Sequence, residues 1–417
     1  MNKTPDELYK ERLKRVEDAI QLKTPDRVPF FPLTHFLAAS YVAMRADEAI
    51  YNTDKWFEAN KTMFLDLKPD LYFPPSTALY PGSSLDILQC TQIRWPGHGS
   101  PPGSAYQFIE KEFMKADEYD AFLSDPSDYL IRIYLPRIFK TLEPLQKLPS
   151  LTALFIQGYK GSLTSVAFAN PEIAHALESF YKAGLESANY LAQSAKFDRE
   201  MAALGFPLGV AVSIYVAFDY ISDMLRGMRG IMLDMFRQPQ KLIDAMDRIY
   251  PILTGAGIAG AKRSGNPRVF IPLHRGSDGF MSLKQYEKFY WPWFKRLLLD
   301  LVEEGLTPCP FVEGDYTSRL HYFDELPKGK ILAFFDRTDI FKAKKIVGDT
   351  VCVAGDIPLL LLKAGTPDEI KDAVKRVIDG AGSNGGFVMS SRTVLDDADP
   401  KLVKLWAEYT REYGLYR

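Results

Sequence analysis

The sequence predicts an α/β protein: a (β/α)8 TIM barrel over residues 1–417, with an N-terminal helical extension and a long insertion over the barrel mouth. Three observations carry this. Five short apolar segments between Arg268 and Arg392 each end on polar residues: RVFIPLHR, PCPFVEGD, ILAFFD, TVCVAGD and GFVMSSR. Near-continuous apolar runs of this length suit strands buried on both faces. Between them lie segments of helical apolar spacing, such as Phe294, Leu297, Leu298, Leu301 and Val302. Strands alternating with helices imply right-handed crossovers and a parallel sheet. Finally, 417 residues at 47% hydrophobic and 25% charged suit a globular chain that can spend its whole length on one barrel with insertions.

Taken in order, residues 5–22 read as a helix with Leu8, Leu13, Val16, Ala19 and Ile20 on one face. VPFFPL follows as the first strand, with His35 at its exit, and DLYFPP at 70–75 is the second, stopped by two prolines. Residues 76–200 form the insertion. It opens on a stretch rich in Pro, Gly and aromatics that includes RWPGHGSPPGS at 94–104, and helices are expected around 117–145. LTALFIQGY is open between strand and helix, whereas PEIAHALESFYKAGLESANYLAQSA is helical. The third strand lies within GFPLGVAVSIYVAFDY at 205–220, where Asp219, Asp223 and Arg226 stand at the handover to the next helix. They either face the mouth or cap and pair with one another. The five apolar segments supply strands four to eight. TPDEIKDAVKRVIDGAG opens on Thr366 as N-cap with Pro367 at the first helical position. The helix DPKLVKLWAEYTREYG closes the barrel.

In such a barrel the chemistry gathers at the C-terminal ends of the strands. The candidate site is therefore His274, Arg275, Glu313, Asp315, Asp336 and Asp356, with His35, Asp219, Ser391 and Arg392 around it as substrate-binding groups. Carboxylates crowded round one cavity resist full ionisation, so some pKa values rise toward neutrality and suit general acid–base work. The plain alternative pairs Glu313 and Asp356 with Arg275 and Arg392 in ion pairs that hold the mouth together. His98 reads as a solvated loop histidine, His175 and His321 as surface or packing residues, and Cys309 and Cys352 as core.

The formal net charge of −2, with Lys and Arg spread along the chain, argues against nucleic-acid binding. No apolar run approaches the ~18 residues that span a bilayer. The N-terminus reads as a charged amphipathic helix rather than a secretory signal, and three cysteines make no disulfide framework. The expected location is the cytoplasm.

KTPDRVPFFP, DMLRG at 223–227, MSLKQYEKFYWPWFKRLL at 281–298, GDTVCVAGDIPLLLLKAGTPDEI at 348–370 and GGFVMSS at 385–391 together resemble the uroporphyrinogen decarboxylase superfamily. That resemblance covers nearly the whole chain. It implies the same barrel and one of two activities: porphyrinogen decarboxylation, or methyl transfer with a cobamide held by a separate corrinoid protein. The decarboxylases carry an Arg-Gln-Ala-Gly-Arg-Tyr motif after the first strand; the matching FPLTHFLAAS holds no arginine. A substrate with many carboxylates needs such cations. The thiol-activating methyltransferases hold zinc through His-x-Cys after strand five and a Cys after strand eight. Here Phe311, Glu313 and Thr393 fall at those places, leaving Glu313 and His274 as the candidate zinc ligands. The resemblance therefore points first to a cobamide-dependent methyltransferase partnered by a corrinoid protein. A carboxy-lyase acting on a tetrapyrrole or aromatic carboxylate is the alternative, and a non-catalytic binding barrel the third reading. Superfamily members often dimerise, and nothing in these residues fixes the oligomeric state.

Overall fold

Prolines decide how the barrel closes. The computed structural model describes residues 3–100, 106–156 and 158–416. Three short strands, β1 (Ile93–Pro96), β2 (Gly99–Ser100) and β3 (Gln107–Phe108), form a small separate sheet. The main sheet holds β4 (Val212–Ser213), β5 (Arg268–Leu273), β6 (Thr307–Val312), β7 (Leu332–Phe335), β8 (Cys352–Ile357) and β9 (Phe387–Ser391), all parallel and in chain order. Every residue of β7, β8 and β9 is buried, as their unbroken apolar runs require.

The two expected N-terminal strands reduce to single bridges that complete the ring. Phe30 pairs with Met389 of β9, and Tyr72 pairs with Leu208 just before β4. The amide of Phe31 donates to Met389 at 3.0 Å, Asp70 to Phe30 at 2.9 Å, and Gly209 to Tyr72 at 2.8 Å. Pro29, Pro32, Pro74 and Pro75 lack the N–H a longer ladder needs, so pairing stops after one or two bonds. The interior is filled by Phe31, Phe73, Phe270, Phe311 and Phe334, with ring centroids 5.3–6.4 Å apart. Cys309 and Cys352 are buried among them.

The N-terminal helix Pro5–Ile20 starts in a capping box, with the Glu7 amide donating to Thr4 Oγ1 at 3.3 Å and the Thr4 amide to Glu7 at 2.7 Å. Its Val16, Ala19 and Ile20 join the barrel core, so the helix covers the end of the barrel opposite the mouth. A buried charge cluster fastens it there. Asp70, fully buried, accepts from Arg15 at 2.6 Å, from both terminal nitrogens of Arg27 at 2.8 Å, and from the Phe30 amide at 2.8 Å.

Between the Tyr72 segment and β4 the chain makes its excursion, ending in the 33-residue helix Pro171–Ala203. LTALFIQGY resolves on the helical side: Leu151–Phe155 is a helical turn capped by Ser150, whose Oγ accepts from the Ala153 amide at 3.2 Å. Of the Pro/Gly-rich stretch 94–104, residues 101–104 lie outside the described residues. Among the described residues no helix is long and apolar enough to cross a membrane.

Asp70→Ala leaves Arg15 and Arg27 without their shared buried counter-charge. The substitution is expected to cost about 3–5 kcal/mol of stability, seen as a lower midpoint in a urea titration.

Candidate active site

Parallel pairing sets the floor of the site. Leu273 of β5 lies beside Val312 of β6, so the residues that follow, His274 and Glu313, leave the barrel side by side. His274 Nε2 stands 3.7 Å from a Glu313 carboxylate oxygen. The third contributor follows β4, where a helical turn Ala217–Tyr220 runs into a widened π-type turn, Ile221–Arg226. Turns of this kind recur at functional sites because they re-aim side chains within a helix.

Two carboxylates from this region fix the histidine from two directions. Asp219, fully buried, accepts the backbone N–H of His274 at 3.2 Å and of Arg275 at 3.0 Å, and the Tyr290 hydroxyl at 2.6 Å. Asp223 takes the imidazole Nδ1 in a hydrogen bond and lies 3.0 Å from Arg275 Nη2. Arg275 also donates to Ser222 Oγ at 3.1 Å and to Glu110 at 2.8 Å. Arg226 turns away into a pair with Asp234 at 2.5 Å.

The charges follow from these contacts. Burial opposes a charge on His274, but the hydrogen bond to Asp223 and the negative fields of Glu313 and Asp219 outweigh it and hold the imidazole pKa up at about 9. The ring is therefore a cation at neutral pH. Burial raises the Glu313 carboxyl; His274 pulls it back, while Asp336 and Asp223 push it further up. Burial also raises Asp219, against the attraction of His274.

A cavity of about 560 Å³ opens above His274, Glu313, Asp223 and Arg275. Its walls are largely aromatic: Tyr80, Tyr106, Phe108, Phe139 and Tyr215, with Gln92 as the polar exception beside the floor. Tyr215 meets the His274 ring edge-on at 5.7 Å, and Tyr106 meets Tyr80 at 5.5 Å. The Cys90 thiol, at the cavity wall, is pushed up by burial.

The other residues singled out from the sequence are not among those lining this cavity. Asp336 accepts the Gly314 amide at 3.1 Å and acts on the site through its charge beside Glu313. Asp315 is exposed and closes a turn, accepting from the Thr317 amide at 2.8 Å and its hydroxyl at 2.6 Å. Asp356 and Arg392 form a two-point ion pair, Nη2 to Oδ2 at 2.9 Å, and Ser391 Oγ accepts the Leu33 amide at 3.4 Å across the barrel seam. His35 bonds to Asp396 at 2.6 Å and meets the Tyr106 ring at 6.0 Å. His98 stacks on Trp95 and pairs with Asp86 at 3.0 Å, while His175 and His321 are exposed.

The strand-ending pattern leads to His274, Arg275 and Glu313. It does not separate Asp223 from Asp219 as the group that holds the imidazole, although their i,i+4 spacing in one helical stretch was a visible signal. Glu110 and four of the aromatic wall residues, Tyr80, Tyr106, Phe108 and Phe139, come from the insertion, whose path no periodicity fixes. For zinc, His274 Nε2 and Glu313 are two donors with Nδ1 already taken by Asp223, and among the described residues no group of three or more His, Cys, Asp or Glu is arranged to hold a metal ion. Catalytic zinc takes three protein ligands, so this donor set does not fit it.

The uroporphyrinogen decarboxylase (URO-D) family model matches residues 169–413, and the chain belongs to that family. A 78-residue stretch is 36% identical to a uroporphyrinogen decarboxylase of Chlorobium phaeovibrioides; it spans 18% of this chain and 22% of that protein. Among solved structures, a methyltransferase from Methanosarcina mazei superposes with a TM-score of 0.62 over 96% of this chain and 98% of its own, at 14% identity. A likeness at that identity establishes the shared fold.

In Asp223→Asn the imidazole pKa of His274 is expected to fall from about 9 by roughly one unit or more, measured by NMR titration of the ring protons. A raised histidine pKa stabilises the fold below its ordinary value of 6.5, and that contribution is lost as pH rises through about 9. The variant should show a flatter stability profile across this window.

Proposed function

We propose that this protein is a methyltransferase, moving a methyl group between a small organic molecule in the aromatic-walled cavity and a corrinoid carried by a separate protein. The observation that carries the reading is the geometry of the cavity floor, where His274 is pinned through Nδ1 by Asp223 and turns Nε2 toward Glu313. The likeness in fold to a methyltransferase agrees with it. The corrinoid, when docked, would supply the centre that accepts or donates the methyl group. Tyr80 (47% exposed) and Phe108 (36% exposed) give the cavity an apolar rim suited to a flat macrocycle.

The chemistry of this chain is then proton management. When the bond from methyl to a substrate heteroatom breaks, the heteroatom keeps the electron pair and needs a proton. His274 is a cation within the cavity and gives one. Glu313, with its pKa raised, hands a proton back to the ring or orients it. In the reverse direction the same pair takes the proton from a hydroxyl or amine acceptor. Stacking on Tyr80, Tyr106 and Phe108 favours a substrate with a flat apolar body. A polycarboxylate tetrapyrrole fits less well. Arg275 is the one guanidinium among the described residues that line the cavity, and Glu110 and Asp223 already engage it.

The test is incubation with methylcobalamin and a panel of phenol, amine and thiol acceptors, followed by visible spectroscopy. Acceptor-dependent loss of the methylcobalamin spectrum is expected; spectral silence together with carbon dioxide release from porphyrinogens would favour the lyase. Glu313→Gln should abolish turnover while leaving the melting temperature within a few degrees. In the demethylating direction, where His274 donates its proton, the rate should fall as pH rises through about 9.

A further inference from the structure

The cavity above His274 joins two properties that methyl transfer does not by itself require: walls of aromatic rings and a surplus of acidic groups. Tyr80, Tyr106, Phe108, Phe139 and Tyr215 line it, and its volume of about 560 Å³ is that of a small-molecule site. The rings do not form a flat slot. Tyr80 and Tyr106 meet at 66° with centroids 5.5 Å apart, and Tyr215 stands at 71° to the His274 ring. Rings set steeply to one another make the corner of a box, which holds a rounded group.

Charge points the same way. Among the described residues, two cations line the cavity, His274 and Arg275, and Asp223 and Glu313 line it with them. Behind these, Asp219 acts on His274 and Glu110 accepts from Arg275 at 2.8 Å, which sets four carboxyl groups against two cations. The acids are felt at the walls as well. Burial raises the Tyr106 and Tyr215 hydroxyls, and Asp396 and Glu313 add to it at Tyr106, Asp223 and Asp219 at Tyr215.

We propose that this cavity binds a methylated ammonium group, which, resting on the methyl-transfer function above, is the methyl donor. Aromatic walls alone accept any apolar ligand. A cation gains in addition from the negative faces of the rings and from the surplus of carboxylates. A quaternary nitrogen has no N–H, so it enters such walls without leaving a donor unpaired. Its head fits the corner of Tyr80 and Tyr106, and Phe108 leaves a stacking surface for a flat body. The chemistry closes on that class. The carbon–nitrogen bond breaks with its electron pair on nitrogen, and the methyl group passes to the reduced corrinoid, which supplies the pair for the new bond. Nitrogen thereby loses its positive charge. The neutral amine takes the proton from His274 Nε2 and leaves as an ammonium, with Glu313 at 3.7 Å placed to return a proton to the ring.

Isothermal titration with meta-hydroxyphenyltrimethylammonium and its neutral isostere meta-tert-butylphenol tests the assignment on binding alone. The cation is expected to bind about tenfold tighter or more, although the isostere is the more apolar of the two. Tyr106→Leu should weaken the cation about tenfold and the isostere little, and Tyr106→Phe should retain the cation, with circular dichroism checking that each variant is folded. Glu313→Gln should weaken the cation alone. Equal or tighter binding of the isostere overturns the proposal, as does no binding of either at millimolar concentration, or an equal loss of both in Tyr106→Leu. A cation bound with this preference that yields no methyl group to a corrinoid upholds the ammonium site and removes the methyl-transfer function, so the two fail separately.

Discussion

A carboxylate without access to water holds the chain where β5 leaves the barrel. Asp219 accepts two consecutive backbone N–H groups, those of His274 and Arg275, and a tyrosine hydroxyl besides. A strand end is ordinarily the start of a mobile loop. Here two hydrogen bonds to one rigid acceptor fix its direction, and the imidazole that follows is aimed before any side-chain contact is counted. Asp223 then needs only to set the ring, and Glu313 arrives beside it because the β5–β6 register brings it there. The cost of burying Asp219 is met by its three donors and by the positive charge it faces.

The two carboxylates on one helical stretch thus divide a task. One holds main chain and the other holds charge. Their shared proximity to His274 explains why a half-buried histidine still carries a proton: desolvation opposes the charge, while three acidic groups act in the opposite sense.

Much of this was legible in the sequence because strand endings are a one-dimensional property. An apolar run stopped by a polar residue survives without knowledge of the third dimension, and His274, Arg275 and Glu313 follow from that pattern. The same pattern gathers Asp315, Asp336, Asp356 and Arg392 into one mouth, yet each has a partner that keeps it out of the cavity. Asp356 meets Arg392 across the β8–β9 ends, and Asp315 turns back to its own Thr317. Pairing preferences among neighbours are three-dimensional and leave no periodic trace. The first two strands show the opposite case. The two prolines after the second were visible and foretold its end; that both strands would shorten to single bridges depended on where their partners ran.

The site has two sources. Its floor is made of barrel strand ends, while Tyr80, Tyr106, Phe108 and Phe139 come from the excursion between the second segment and β4. The long helix ties one of these walls in place: Tyr190 donates its hydroxyl to the Leu79 carbonyl at 3.0 Å, and Ser84 Oγ to the Ala183 carbonyl at 3.2 Å. Mutation in the insertion can therefore redraw what the protein accepts without touching how it handles protons. Over evolutionary time, selectivity and reactivity in this chain are free to drift at separate rates.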